Sequence, residues 1–333
     1  MKWSTVLTAT AFLVLLPLAE PQSTDEVHVA TRVDNSSRPS SEAQINIARN
    51  QTKSLRADVE LVLVPVTVTD GLNRPIVDLQ SNNFQLYENE RQQEIQFFSR
   101  EDAPISVGLI LDFSKSMENK FEFERAALKA FFNNANPQDD YFAIAISDRP
   151  VVIADSTQSI TDLEDKLTLA VPAGNTALLD AIYLGVSKMH QARYQRRALL
   201  IISDGGDNHS YYTAKQTKAL VEEADVLMYS IGLFDDMPVP IFKTIEEKLG
   251  KRLLTNITDL TGGRTITADD REKIPDIAAL ISRELRQQYV LAYRSDQPRH
   301  DGRWRNIKVH VIASGNTQPV HVRYKKGYIA ATE

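Results

Sequence analysis

Short apolar runs and amphipathic stretches take turns through the middle of this chain. Strand-like runs fall near residues 107–111, 141–147, 151–154, 198–203, 226–232 and 264–266. Helical periodicity falls near 118–134, 160–169, 177–191, 214–223, 241–249 and 271–286. Alternation of this kind predicts an α/β unit, a doubly wound and mostly parallel sheet with helices on both faces. Sheets of this type place their binding sites at the carboxyl ends of strands, where the strand order switches direction.

The flanks read differently. A β-branched run over 59–69 leads into a turn at Asp70-Gly71-Leu72-Asn73-Arg74-Pro75, and short strands follow over 84–89 and 94–98. At the other end, 288–293, 307–312 and 320–324 read as half-buried strands, the last two with clear alternation. Neither flank has enough apolar surface to stand alone, because a sheet needs a second layer over its face. The expectation is therefore one discontinuous β-sandwich-like domain made of residues 57–103 and 288–330, with the α/β unit at 104–287 inserted between them.

The N-terminus changes the picture of where the protein works. Met1-Lys2 is followed by an apolar stretch over 6–19, too short for an ordinary membrane span and suited to a signal-peptide core. Residues 1–23 are expected to be a signal peptide. Residues 24–56, polar and centred on Asn35-Ser36-Ser37-Arg38-Pro39-Ser40-Ser41, are expected to be a flexible linker. The expected location is exported, periplasmic or extracellular, with no membrane span once the signal is removed.

Composition mainly excludes. The length of 333 residues suits two domains, and 42% hydrophobic with 25% charged residues is ordinary for a chain that buries a full core. A formal net charge of -6 without a basic stripe gives no reason to expect a nucleic-acid partner. Cysteine is absent, which excludes disulfides, zinc–cysteine sites, a thiol nucleophile and a lipid anchor on an N-terminal Cys.

Candidate chemistry concentrates at three strand ends and loops. Asp112-Phe113-Ser114-Lys115-Ser116 stands directly behind the apolar run 105–111, Ser203-Asp204-Gly205 closes the run 198–203, and Gly174-Asn175-Thr176 precedes a helical stretch. Asp112, Ser114, Ser116, Thr176 and Asp204 are all hard oxygen donors, the kind that Mg²⁺ and Ca²⁺ prefer. Taken singly, each also serves as an ordinary helix cap or turn residue. Asp207 and His209 offer an acid–base pair, but no Ser in a Gly-x-Ser-x-Gly context accompanies them. Phe121, Leu128, Phe131 and Phe132 read as core, Trp304 as a sheet-corner residue, and Arg323, Lys325 and Lys326 as guards of an edge strand.

The pattern Asp-x-Ser-x-Ser, then Thr, then Asp resembles the metal-ion-dependent adhesion site of the von Willebrand factor type A domain. The likeness covers roughly 104–287. It includes Ser203-Asp204-Gly205-Gly206-Asp207-Asn208 and the late turn Thr261-Gly262-Gly263-Arg264, and it departs at Lys115, where Gly is usual. The resemblance implies a Rossmann-like fold and a bound Mg²⁺, or Mn²⁺ or Ca²⁺ in its place. Ser114, Ser116 and Thr176 would bind the ion directly, and Asp112 and Asp204 largely through water. It also implies a non-enzymatic interaction module whose protein partner presents an Asp or Glu to the ion. The flanks resemble a group of exported bacterial proteins related to this domain, several from acidobacteria. The residues that carry this are 63–68, 84–88, Tyr289 with Tyr293, Gly302 with Trp304-Arg305, and Gly327-Tyr328. The competing expectation is a metal-dependent, phosphatase-like hydrolase on the same kind of sheet. The lack of a P-loop and of an Asp-x-Asp nucleophile pair counts against it.

Overall fold

The structure, a computed structural model, describes residues 61–100, 102–157, 159–168, 174–234, 245–268, 270–297, 301–312 and 319–330. The expected signal peptide and linker lie outside these residues. Among the described residues no helix is long and apolar enough to cross a membrane.

In chain order the first flank supplies β1 (Leu61–Thr69), β2 (Phe84–Glu88), β3 (Arg91–Gln93) and β4 (Ile95–Ser99). Then come β5 (Ser106–Asp112), α1 (Phe121–Phe132), β6 (Asp140–Ile146), β7 (Val151–Thr157), α2 (Ile160–Thr168) and α3 (Leu178–Met189). They are followed by β8 (Arg197–Ser203), α4 (Ala214–Glu223), β9 (Leu227–Gly232), α5 (Ile245–Thr261), β10 (Thr265–Thr267) and α6 (Ile274–Arg286). The last flank gives β11 (Tyr289–Arg294), β12 (Trp304–Val311), β13 (His321–Tyr324) and β14 (Gly327–Ile329).

The central sheet runs β10-β9-β8-β5-β6-β7, parallel throughout except for β7, which is antiparallel to β6. Every residue of β5 and of β6 is buried. That is why these strands read as unbroken apolar runs: a strand covered on both faces has no polar side to alternate with. Successive residues of β5 feed opposite cores. Leu109 and Leu111 pack with Phe131 of α1 and Ile281 of α6. Ile110 packs with Ile182 of α3, Val221 of α4 and Leu254 of α5.

One helix differs from expectation. The fifth was expected over 241–249, of which 241–244 lie outside the described residues, whereas α5 runs Ile245–Thr261. Leu254 and Ile257 are fully buried on its sheet-facing side, so packing carries the helix through a residue of poor helix propensity. Gly250 is there for clearance. A Cβ on it would lie 2.1 Å from the Gly205 carbonyl oxygen, so the helix can pass the Asp204 loop only with no side chain at this point.

The flank strands form two antiparallel sheets, β13-β1-β11-β4 and β14-β12-β2-β3. Each mixes strands from both ends of the chain: Val64 stands opposite Leu291 and Val66 opposite Tyr289 in one, Leu86 opposite Val309 in the other. Their facing sides share one core containing Val64, Val66, Leu86, Leu291, Tyr293 and Ile307. Inside it Glu88 is wholly buried. Its Oε2 accepts hydrogen bonds from the hydroxyls of Tyr293 (2.6 Å) and Tyr328 (2.9 Å), and its Oε1 from Ser295 Oγ (2.6 Å). The carboxylate therefore fastens β2 to β11 and to β14. Glu88→Ala should cost about 3 kcal/mol, because one buried and two part-buried hydroxyls lose their acceptor together. A urea midpoint close to that of the wild type would show the pin to be unimportant.

Candidate metal site

The chain leaves β5 for β6 on one side of the sheet and later enters β8 on the other, so β5 and β8 flank the switch in strand order. A crevice opens there at the carboxyl ends. Asp112 is the last residue of β5, and Asp204 follows Ser203, the last residue of β8.

Short hydrogen bonds tie these ends together. The buried Asp112 accepts the Ser114 N–H on Oδ1 (3.0 Å) and the Ser203 hydroxyl on Oδ2 (2.6 Å), and Ser203 Oγ in turn accepts the Gly205 N–H (2.9 Å). The Ser114 and Ser116 hydroxyl oxygens lie 3.0 Å apart. The Lys115 N–H donates to the Gly174 carbonyl at 3.2 Å, which brings in the loop that carries Thr176. Thr176 is held by backbone: its N–H donates to Asn208 Oδ1 (3.0 Å), and its carbonyl accepts the N–H groups of Asn208 (3.0 Å) and His209 (3.2 Å). Asp204 accepts the Gly206 N–H on Oδ1 (3.1 Å), and its Oδ2 faces the Lys120 ammonium at 3.4 Å. Ser114, Ser116, Asp112 and Asp204 are thus joined through side chains and strand ends. Thr176 joins them through the backbone of its neighbours.

The electrostatics are those of acids crowded away from water. Burial first, and the Asp204 charge second, raise the Asp112 carboxyl to about 6, against the opposing pull of its bonds from Ser114 and Ser203. Behind it on α1, Glu124 is wholly enclosed. Its Oε1 accepts the Asp112 N–H at 3.2 Å, and its Oε2 is a buried oxygen with no hydrogen-bond partner. Burial, reinforced by the Asp112 charge, pushes Glu124 well above the usual carboxylate range. A carboxyl raised on folding binds its proton more tightly in the folded state, so its stabilising share is present at low pH and is lost as pH rises. For Asp112 the window runs from about 4 to about 6. In EDTA, the melting temperature of Asp112→Asn relative to wild type should therefore rise across that window. A constant difference would contradict the buried-acid description.

The donors suit a hard divalent ion that keeps part of its water shell. Among the described residues no three Asp, Glu or His side chains gather into a metal cage. The candidate set has two carboxylates and three hydroxyls, fewer charged ligands than Ca²⁺ usually takes and a set that Mg²⁺, which retains waters, accommodates.

Several supporting residues had no role assigned from the sequence. Glu124 shares the buried face of α1 with Ala127, Leu128 and Phe131, and an acid on an apolar face was its only signal. Lys120 carries no sequence signal, and Ser203 stands in the Ser203–Asn208 stretch with no role that the sequence assigns to it. Asp207 turns out to cap α3: its Oδ1 accepts the N–H groups of Leu178 (3.0 Å) and Leu179 (3.4 Å) and the Ser210 hydroxyl (2.5 Å). Asp180 accepts the N–H groups of Tyr211 (3.0 Å) and Tyr212 (2.9 Å), and the ring of Tyr212 stacks on Tyr183 at 3.8 Å. Tyr211 consequently stands 84% exposed on a braced loop that also carries Asn208. A cavity of about 340 Å³, lined in part by Leu63, Ile105, Val226 and Val290, lies at the amino ends of β5 and β9 and contains none of the five candidate ligands.

Residues 107–206 match the family of the von Willebrand factor type A domain, and the chain carries a domain of that family. Among solved structures it is similar to a von Willebrand factor type A protein from Catenulispora acidiphila. The identity is 11% and the TM-score 0.47, over 76% of this chain and 75% of that one. The conserved hypothetical protein BatB from Bacteroides thetaiotaomicron gives 18% identity and a TM-score of 0.42, over 54% and 98%. The PilB minor pilin from Streptococcus sanguinis gives 14% and 0.45, over 59% and 64%. No curated protein matches the chain.

Proposed function

We propose that this is an exported protein-interaction module that engages an Asp or Glu of its partner through a divalent ion, Mg²⁺ or Mn²⁺, at the β5–β8 crevice. The observation that carries the reading is the set of hydrogen bonds that links Ser116, Ser114 and Asp112 to Ser203, the neighbour of Asp204, at one switch point. Domains of this family are typically protein-interaction modules. Ser114, Ser116 and Thr176 would hold the ion directly, while Asp112 and Asp204 would orient its water. When bound, the ion supplies an electrophilic position that a carboxylate from outside can fill. Asp112 fixes the Ser114 backbone, and Ser203 fixes Asp112, so the hydroxyls need no rearrangement. Lys115 and Ser116 face solvent, and the Lys115 ammonium adds a second attraction for the same carboxylate. Tyr211 offers a rigid aromatic contact on the rim, the type of side chain that often anchors an interface.

The hydrolase reading gains nothing from the site, because Asp207 is spent on the α3 cap. The test of the proposal is capture from a native exported fraction. Binding should be abolished by EDTA and restored by Mg²⁺, and Asp112→Ala should behave as wild type does in EDTA. Binding that persists through both treatments would move the interface away from the crevice.

A further inference from the structure

Lys120 stands in an unfavourable place for a cation. It immediately precedes α1, whose helix dipole already makes that end electropositive. Its side chain is only 5% exposed, and lysine is seldom buried to that extent without a paired acid. The backbone leaves it little freedom: the Lys120 N–H donates to the Met117 carbonyl (2.8 Å), and its own carbonyl accepts the N–H groups of Phe123 (3.0 Å) and Glu124 (3.1 Å). The turn Lys115–Met117 that aims the ammonium is the same segment that carries the Ser116 hydroxyl. The ammonium meets Asp204 Oδ2 at 3.4 Å.

We propose that Lys120 is a built-in counter-cation of the crevice, one that neutralises Asp204 in the metal-free protein and opposes the entry of a divalent ion. The inference rests on the metal reading given above and adds what sets the affinity. Without a divalent ion, the Lys120 ammonium balances the charge of the mostly buried Asp204. With the ion bound, two positive groups share Asp204 inside a poorly solvated site, where like charges repel strongly. Lys120 therefore keeps the empty loops in order and makes the site a weak, exchangeable one. Removing its charge while keeping its length should tighten metal binding and loosen the metal-free fold.

The test is Mn²⁺ titration of the chelator-treated full chain, comparing wild type with Lys120→Met, Lys120→Gln and the charge-retaining Lys120→Arg, with melting in EDTA measured alongside. The expected result is binding at least tenfold tighter in both neutral variants, affinity within about threefold of wild type in Lys120→Arg, and lower melting temperatures in EDTA for the neutral variants alone. The Gln variant keeps a hydrogen-bond donor, so it reports even where Met disturbs the loop. Equal or weaker Mn²⁺ binding by the neutral variants, with the wild type binding one ion, would overturn the role of Lys120 and leave the metal reading standing. Absence of Mn²⁺ binding in every protein would overturn both.

Discussion

A chain ended at Gln287 is expected to aggregate or to bind hydrophobic dye. The reason is the interleaving of the two flanks. β11 lies between β1 and β4, and β12 between β14 and β2, so truncation isolates β1 and β4 and leaves only the β2–β3 pair. It also uncovers Val64, Val66, Val68, Phe84 and Leu86. Exposing five such side chains forfeits about 10 kcal/mol, as much as the whole stability of an ordinary domain. The comparison is solubility and dye binding for 57–287 against 57–333. A soluble, cooperatively melting 57–287 would mean that the first flank is stable without the second.

The second large effect is expected from the smallest substitution. Gly250→Ala lies within α5, where propensity alone favours alanine by about 1 kcal/mol. The new Cβ, however, would have to sit 2.1 Å from the Gly205 carbonyl oxygen, and the obstacle is backbone. Either α5 or the Ser203–Gly205 turn must give way. Gly205 has a φ of 77°, a conformation that leaves that turn few alternatives. Net destabilisation of about 3 kcal/mol is expected, the upper part of the range for overpacking, together with weaker Mn²⁺ binding because Asp204 moves with the turn. A stabilised variant would show that the close approach is not required. Propensity and packing give opposite signs here, so a melting curve separates them.

The same position marks where sequence reasoning stopped short. Glycine after an amphipathic run is a sound helix-stop signal, and nothing local reveals that another backbone passes within contact distance. The central strands were legible because burial on both faces writes itself as continuous apolar runs, 107–111 and 198–203 being the plainest. Most flank strands were legible through alternation, although β3 and β14, each three residues long, were too short to show a period. Of the site, the five oxygen donors could be named because motif and strand end coincide. The groups that surround them could not. Glu124 and Lys120 act through burial and through partners 12 and 84 residues away in sequence, and periodicity does not report on such distances. Tyr211 had no signal at all, since its exposure follows from how Asp180 braces a loop.

The measurement that bears most directly on the account is calorimetric titration of the chelator-treated protein with Mg²⁺ and Mn²⁺, in wild type and in Ser114→Ala/Ser116→Ala. Ser114 and Ser116 stand in a loop beyond the strand end, and the hydroxyls bond to each other at 3.0 Å, so the double variant should keep the wild-type melting temperature in EDTA to within a few degrees. The account predicts one divalent site in the wild type and none in the variant. Equal binding by a folded variant, or no binding by the wild type, would contradict it.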